Sequence, residues 1–217
     1  MEFSIPLNPS TFRTYYPKVT QTSTTVGTPP KTKYTVTLDD PAGSLQGELN
    51  GWVTRLKNED TSNTTCCIQM SHAINMAFHL LDAKKMVGLR STRPRPTHGV
   101  AIAAAANKTF HYIASVDEMK GFLIEQFGEG EEISHTAFGI AATPAQSQSF
   151  IKNRPGILVF MGTSPWGVHT EIWTGNDFHQ GWMRGRTDQF GWAPVWFWDM
   201  GLPSVPIVDE LPGVPIV

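Results

Sequence analysis

The chain has 217 residues, of which 40% are hydrophobic, so it is long enough and apolar enough to bury a core of its own. Its 17 basic and 19 acidic side chains leave a net charge of −2, which excludes binding to a nucleic-acid backbone through bulk charge. The longest apolar run, Val100 to Ala106, covers seven residues. Because about 20 are needed to cross a bilayer, no membrane span is predicted.

Composition along the chain suggests three regions: an N-terminal extended arm and strand over residues 1–44, a main domain over 45–200 and a Pro-rich tail over 201–217. The arm is rich in Thr, Ser and Pro, and we expect three aromatic residues to anchor it, namely Phe12, Tyr15 and Tyr16. It opens with an acid and an early Pro where a signal peptide needs positive charge and a continuous apolar stretch. We therefore expect no signal peptide, synthesis in the cytoplasm, and export, if any, by another route.

Periodicity predicts a strand in the arm, then helices, then further strands. Tyr34 to Leu38 alternates apolar residues with Thr, which is typical of a half-buried strand. Helical spacing and capping residues predict helices over about 45–56, from Asn63 to Leu81, after Ser115 up to Gly128, and from Thr143 to Ile151. Three strands are predicted after them, at Gly156–Met161, His169–Trp173 and Val195–Trp198. Helices followed by consecutive strands indicate an α+β fold with an antiparallel sheet.

The only two cysteines, Cys66 and Cys67, are neighbours in the first turn of the second predicted helix. A disulfide between them would form a strained ring that closes no useful loop, so packing or chemistry must explain them. Unsatisfied N–H groups and the helix dipole favour a thiolate at such a position. Cys67 is in phase with Met70 and Ile74 and belongs to the core, whereas Cys66 is offset by about 100° and can face a cleft. The alternative for either residue is a small buried hydrophobe.

A cysteine nucleophile needs a base, and His169 is the best placed histidine because a loop precedes it and a strand follows. A third polar group should orient its imidazole. Glu171 lies on the same side of the strand, but the strand repeat places it about 7 Å away. A residue just past the next turn would reach the ring more directly, which leaves Asp177, His179 and Gln180.

The segment Asn63–Asn75, which reads Asn-Thr-Thr-Cys-Cys-Ile-Gln-Met-Ser-His-Ala-Ile-Asn, resembles the Asn-Thr-Cys-Ala-x-Arg-Met-Ser-x-Ala-Leu-Asn segment of the fourth family of type VI secretion amidase effectors. Three later stretches are similar to further motifs of that family. Gly156–Phe160 is similar to its Gly-Ile-Ile-x-Phe motif, Trp166 to its Trp, and Gly167–Gly175 to its Gly-His-x-x-Leu-Trp-x-Gly motif. The resemblance extends from about Gly47 to Met200. It implies a papain-like (NlpC-type) α+β fold in which the cysteine begins a helix packed against an antiparallel sheet.

The resemblance also implies site residues, residue by residue. Cys66 becomes the nucleophile and His169 the general base, and the family's third member, an Asp, falls on Gln180. Gln can hold an imidazole but stabilises an imidazolium less than a carboxylate does. Two further departures are Cys67 in place of Ala and Gln69 in place of Arg.

The implied activity is hydrolysis of amide bonds in peptidoglycan stem peptides, with D-Glu–diaminopimelate as the expected bond, by an antibacterial toxin. The resemblance implies no metal and no cofactor, and it implies a dedicated immunity protein as a partner and type VI secretion as a route of export. One alternative is a metal hydrolase that uses His169, Glu171 and His179, although no HExxH or CxxC spacing is present. Another is a non-catalytic binding or toxin module, for which seven Trp would suit a glycan-binding face.

Overall fold

The computed structural model describes residues 8–39, 46–59, 65–81, 100–104, 108–135, 138–162, 168–180 and 183–201. Its helices are α1 (Pro9–Thr14), α2 (Gln46–Glu59), α3 (Cys66–Leu81), α4 (Val116–Phe127) and α5 (Pro144–Phe150), with a 3-10 helix at Thr187–Gly191. Its strands are β1 (Lys18–Val26), β2 (Lys31–Asp39), β3 (Val100–Ala104), β4 (Lys108–Tyr112), β5 (Glu131–Glu132), β6 (Gly156–Phe160), β7 (His169–Trp173) and β8 (Val195–Asp199). Residues 202–217 of the predicted Pro-rich tail lie outside the described residues.

The main sheet has the order β5-β8-β6-β7, and all its strand pairs are antiparallel, which confirms the predicted α+β layout. All five residues of β6 and all five of β7 are buried. Alternate residues pack into different apolar clusters because successive side chains of a strand point to opposite faces. Ile157, Val159 and Ile172 join the α3 side, while Leu158 joins an aromatic cluster built around Phe178 and Phe190. Burial on both faces explains the continuous apolar runs in these strands.

In helix α3, every side chain that the structure describes is buried, from Cys66 to Ala77. One side contributes Cys67, Met70 and Ile74 to the cluster beneath the sheet, and another contributes Ile68 and Met76 to a second cluster. Its buried polar groups therefore need partners. The Nδ1 atom of His72, for example, lies 3.0 Å from the Tyr112 hydroxyl, and the two rings stack. His72 is therefore a packing residue of the core.

Two predicted helix starts are confirmed by their caps. The Ser115 hydroxyl accepts a hydrogen bond from the Glu118 amide at the start of α4. Thr143 and Gln146 form a complete capping box before α5. Gly128 ends α4 with φ of 81°, a left-handed conformation that favours glycine. The start predicted for α3 at Asn63 lies outside the described residues, and the helix begins at Cys66.

The sequence predicts an extended N-terminal arm, but the structure shows a short helix followed by a hairpin. Strands β1 and β2 pair along all nine of their residues. Strand β1 consists largely of exposed polar side chains, so no apolar alternation revealed it, although its Thr residues suit a strand. The predicted anchors Phe12 and Tyr16 are buried and Tyr15 is half-buried. The boundary at residue 44 stays a prediction.

Helix α2 holds strand β2 of this hairpin through polar side chains spaced four residues apart. Asn50, Thr54 and Asn58 hydrogen-bond to both the N–H and the C=O groups of alternate β2 residues, namely Leu38, Val36 and Tyr34. The backbone of a strand edge is thereby satisfied by a helix. None of the helices among the described residues is both long enough and apolar enough to span a membrane.

Candidate active site

Cys66 is the first residue of α3, a 16-residue helix, and so lies at the positive end of its dipole. Its side chain is only 2% exposed. The open cleft expected at this residue is therefore not what the structure shows. Cys66 is covered because it hydrogen-bonds to His169 and packs in one cluster with Phe12 and Tyr16, which come from the N-terminal segment, residues 8–17.

Cys67 occupies the core, as its helical phase predicted. It has no exposed surface, and its Sγ atom lies 3.9 Å from the hydroxyl of Thr170 on β7. Burial, followed by the neighbouring Cys66, raises the pKa of the Cys67 thiol well above its ordinary value. Cys67 therefore remains a neutral thiol at physiological pH.

His169 is the first residue of β7 and is 6% exposed. It pairs in register with Phe160 of β6, whose ring stacks on the imidazole at 6.2 Å between centroids. Burial on its own lowers the pKa of His169, but the charge of Cys66 and its hydrogen bond, together with Glu171, raise the pKa from 6.5 to about 10. Such a pair favours thiolate and imidazolium together, which is the state that makes a cysteine nucleophilic.

Glu171 lies closer to His169 than the sequence estimate allowed. Its Oε2 atom is 3.6 Å from His169 Nε2, and the side chain is fully buried. The estimate of about 7 Å was wrong for these atoms, because that figure is the backbone repeat and side chains on one face can lean together. At 3.6 Å the contact is longer than an ordinary hydrogen bond. Burial raises the pKa of the Glu171 carboxyl, and the contact with His169 opposes that rise. The other oxygen, Oε1, accepts a hydrogen bond from the Ile172 amide at 2.7 Å.

Gln180 belongs to a chain of hydrogen bonds beside the first turn of α3. Its Nε2 atom donates to the Tyr16 hydroxyl at 2.9 Å and to Gln69 Oε1 at 3.2 Å. Gln69 in turn donates through Nε2 to the carbonyl of Pro17 at 2.7 Å. The structure thus brings Gln180 to the helix that carries Cys66 and joins it to the N-terminal segment.

The two other candidates for the third position have different surroundings. Asp177 holds its own turn, because its Oδ1 atom accepts hydrogen bonds from the amides of Phe178 and Gly185. His179 packs edge-on against the Tyr16 ring at 5.6 Å. Burial first, and then three nearby cations, lower the pKa of His179, so this imidazole is neutral at physiological pH.

The metal-hydrolase alternative needs three ligands in one place. Of its proposed ligands, His169 and Glu171 meet. Over the residues that the structure describes, no three His, Cys, Asp or Glu side chains form a group that could hold a metal ion.

Tyr16 is the member of the site that sequence reasoning assigned only to anchoring. It is 4% exposed, and burial, followed by the charges of Glu171 and Cys66, raises its pKa well above the ordinary value. Its hydroxyl is therefore protonated, and the residue packs in the same buried cluster as Cys66. No local pattern could have shown this, because Tyr16 lies far from Cys66 in the chain and meets the site only in the folded protein.

The Cys66 thiol is buried at a helix N-terminus and is paired with an imidazole that a carboxylate approaches. This arrangement can activate the sulfur for attack on a carbonyl. Residues 62–198 match the family described as "Type VI secretion system (T6SS), amidase effector protein 4", or Tae4. The chain therefore belongs to the amidase effectors of type VI secretion systems, and within them to the Tae4 family. Cys66, His169, Glu171 and Gln180 all lie inside the matched residues, whereas Tyr16 lies outside them.

Among solved structures, the chain is similar to the Tae4 effector from Enterobacter cloacae, at 19% identity and a TM-score of 0.43, over 71% of this chain and 83% of that chain. It is also similar to the Tae4–Tai4 effector–immunity complex from Enterobacter cloacae, at 20% identity and a TM-score of 0.42, over 69% and 82%. A third is the Salmonella typhimurium Tae4 effector in complex with the immunity Tai4 from Enterobacter cloacae, at 18% identity and a TM-score of 0.42, over 69% and 83%. Among curated proteins, none matches the sequence.

Proposed function

We propose that this protein is a cysteine amidase with a papain-like, NlpC-type arrangement, and that it hydrolyses amide bonds of peptidoglycan stem peptides as an antibacterial toxin. Membership of the amidase effector family supports the reaction class. The single observation that carries the cysteine mechanism is the buried Cys66–His169 hydrogen bond at the start of α3, with Glu171 3.6 Å from the imidazole.

In the first half of the reaction, the Cys66 thiolate attacks the carbonyl carbon of the scissile amide. A carbon–sulfur bond forms, and the carbonyl electron pair moves onto oxygen, where backbone N–H groups at the helix N-terminus stabilise it. The tetrahedral intermediate then collapses, the carbon–nitrogen bond breaks, and the His169 imidazolium gives its proton to the leaving amine. The products of this half are a free amine and a thioester on Cys66.

In the second half, neutral His169 removes a proton from water as the water oxygen attacks the thioester carbonyl. The carbon–sulfur bond breaks, the acid product leaves, and Cys66 returns to thiolate beside the imidazolium. Glu171 has the charge that favours the imidazolium in both halves. In this mechanism Gln180 is the neutral residue that orients the imidazole ring, so Glu171 and Gln180 have separate roles that mutation can distinguish.

The finer claims about substrate and partners follow from the family resemblance. We propose that the bond cleaved is D-Glu–diaminopimelate, that the protein leaves its cell by the type VI route, and that a cognate immunity protein inhibits it. Structures of similar effectors contain the immunity protein Tai4, which supports the last point.

The binding-module alternative receives no support from the two most buried tryptophans among the described residues. The Trp173 and Trp198 side chains are almost fully buried, and their indole N–H groups donate to the carbonyls of Ile151 and Gly128 at 3.0 Å each. Both are therefore core residues, as Trp at the ends of strands usually is.

Digestion of purified peptidoglycan sacculi tests the proposal. The wild-type protein should release stem-peptide fragments whose masses, measured by mass spectrometry, place the cut between D-Glu and diaminopimelate. Cys66→Ala should release none, while Cys67→Ala, the matched control, should release the same fragments. Cleavage at another amide bond would correct the substrate only, and cleavage by Cys66→Ala would remove the cysteine mechanism.

A further inference from the structure

Tyr16 and Pro17 of the N-terminal segment hydrogen-bond to two glutamine side chains and so fix the orientation of both amides. These side chains are Gln69 and Gln180. The Pro17 carbonyl can only accept, so the group of Gln69 that faces it at 2.7 Å is the NH2 and the opposite atom is the carbonyl oxygen. That oxygen accepts from Gln180 Nε2, and the Tyr16 hydroxyl accepts a second bond from the same nitrogen. Both N–H groups of the Gln180 amide then donate hydrogen bonds, so any further hydrogen bond of this amide is accepted by its Oε1 atom.

The Tyr16 hydroxyl has a donor as well as an acceptor role. Because its oxygen accepts from Gln180, its own hydrogen points elsewhere. Tyr16 packs in one buried cluster with Cys66 and Cys67, and its ring contacts His179. The charges that act on the hydroxyl are those of Glu171 and Cys66, whereas Cys67 and His179 are neutral. The same anions, after burial, keep the phenol protonated by raising its pKa. A protonated hydroxyl beside two anions stabilises them through its dipole.

We propose that Tyr16 is a positioning residue of the active site: its hydroxyl, held by the Gln180 amide, stabilises the charged Cys66–His169–Glu171 group. The proposal rests on the proposed function for the identity of that group. It also extends the site beyond the matched residues 62–198, because Tyr16 comes from the N-terminal segment. The segment is on this account a part of the catalytic centre and not only an anchor for the arm.

The first test uses Tyr16→Phe, which keeps the ring in the core and removes the hydroxyl. Labelling of Cys66 by iodoacetamide, measured against pH, reports thiolate formation without any substrate. The rate at mildly acidic pH should fall by about three- to tenfold, because the hydroxyl dipole that stabilises the nearby negative charge is lost. At alkaline pH, where the thiolate forms in both proteins, the rates should agree. Tyr15→Phe, the adjacent control that packs in a different cluster, should leave the whole profile unchanged.

A merely structural role for Tyr16 would change the labelling rate by the same factor at every pH, and that result would overturn the proposal. So would an unchanged profile in Tyr16→Phe. Circular dichroism and thermal unfolding of the variant establish that the fold is retained. Because the readout is labelling, the Tyr16 proposal can succeed even where peptidoglycan is not cleaved, and the two failures are distinguishable.

The second test asks whether Tyr16 acts together with Gln180. Tyr16→Phe, Gln180→Ala and the double variant form a cycle read by the labelling rate at mildly acidic pH. If the Gln180 amide holds the hydroxyl in place, Tyr16→Phe should have little further effect once Gln180 is Ala. Fully additive effects in the cycle would contradict the coupling between the two side chains.

Discussion

The Nε2 atom of His169 lies 3.6 Å from the Oε2 atom of Glu171, its neighbour two residues along the same strand, and both side chains are buried. Because both side chains are buried, the interaction between the Glu171 carboxylate and the His169 imidazole takes place in a region of low dielectric constant. The pKa of His169, raised to about 10, contains this contribution together with the larger one from Cys66.

Glu171→Gln keeps the shape of the side chain and removes its charge. Since Glu171 raises the pKa of His169, the variant should have a lower His169 pKa. His169 must be an imidazolium to protonate the leaving amine, so the basic limb of the kcat/KM profile should move to lower pH. A basic limb that stays at the wild-type pH would show that the carboxylate does not act on the imidazole.

On the proposed mechanism, Gln180→Ala removes the amide that orients the imidazole and leaves the base in place. We expect kcat to fall by roughly ten- to a hundredfold, with a much larger loss for His169→Ala. The measurement is steady-state kinetics of both variants and of Glu171→Gln on one peptide substrate. If Gln180→Ala were nearly silent while Glu171→Gln was severely impaired, Glu171 alone would be the third member of the site.

Cys66 and Cys67 should differ sharply in reactivity, although they are adjacent. Burial raises the pKa of the Cys67 thiol, and Cys66 is the one that hydrogen-bonds to His169. Iodoacetamide at neutral pH should therefore modify Cys66 first and abolish hydrolysis, as peptide mapping would show. Preferential modification of Cys67, or full activity in Cys66→Ser, is the outcome that rules out this assignment.

The titration of His169 can be followed directly by NMR. In the wild-type protein, the imidazole should titrate near pH 10, because the Cys66 charge and Glu171 outweigh the effect of burial. Cys66→Ala removes the largest contribution that raises the pKa, so the His169 pKa should fall towards or below its ordinary value of 6.5. An unchanged titration in Cys66→Ala would mean that the two side chains are not paired.

Much of this fold could be predicted because the elements that carry the site have strong local signals. Helix α3 shows regular apolar spacing after its cysteines, and β6 and β7 are short apolar runs bounded by turn residues. Strand β3 was missed because its alanines have little preference for a strand, and β1 was missed because it is exposed and polar.

The contacts within the site could be predicted less well than its elements. The approach of Glu171 to His169 depends on side-chain directions that a backbone repeat does not contain. The bond between Gln69 and Gln180 joins residues 111 positions apart, and Tyr16 is 164 positions from Gln180. Only packing of the N-terminal segment against α3 brings these groups together, and no spacing in the sequence encodes it.

The central claim is that an acyl group passes through Cys66, and trapping that intermediate tests it most directly. The protein is mixed with a stem peptide containing D-Glu–diaminopimelate, quenched in acid and mapped by mass spectrometry. The account predicts a thioester on Cys66 whose added mass equals the acyl half of the substrate, and no adduct and no cleavage in Cys66→Ala. Cleavage of the peptide by Cys66→Ala at the wild-type rate would contradict it.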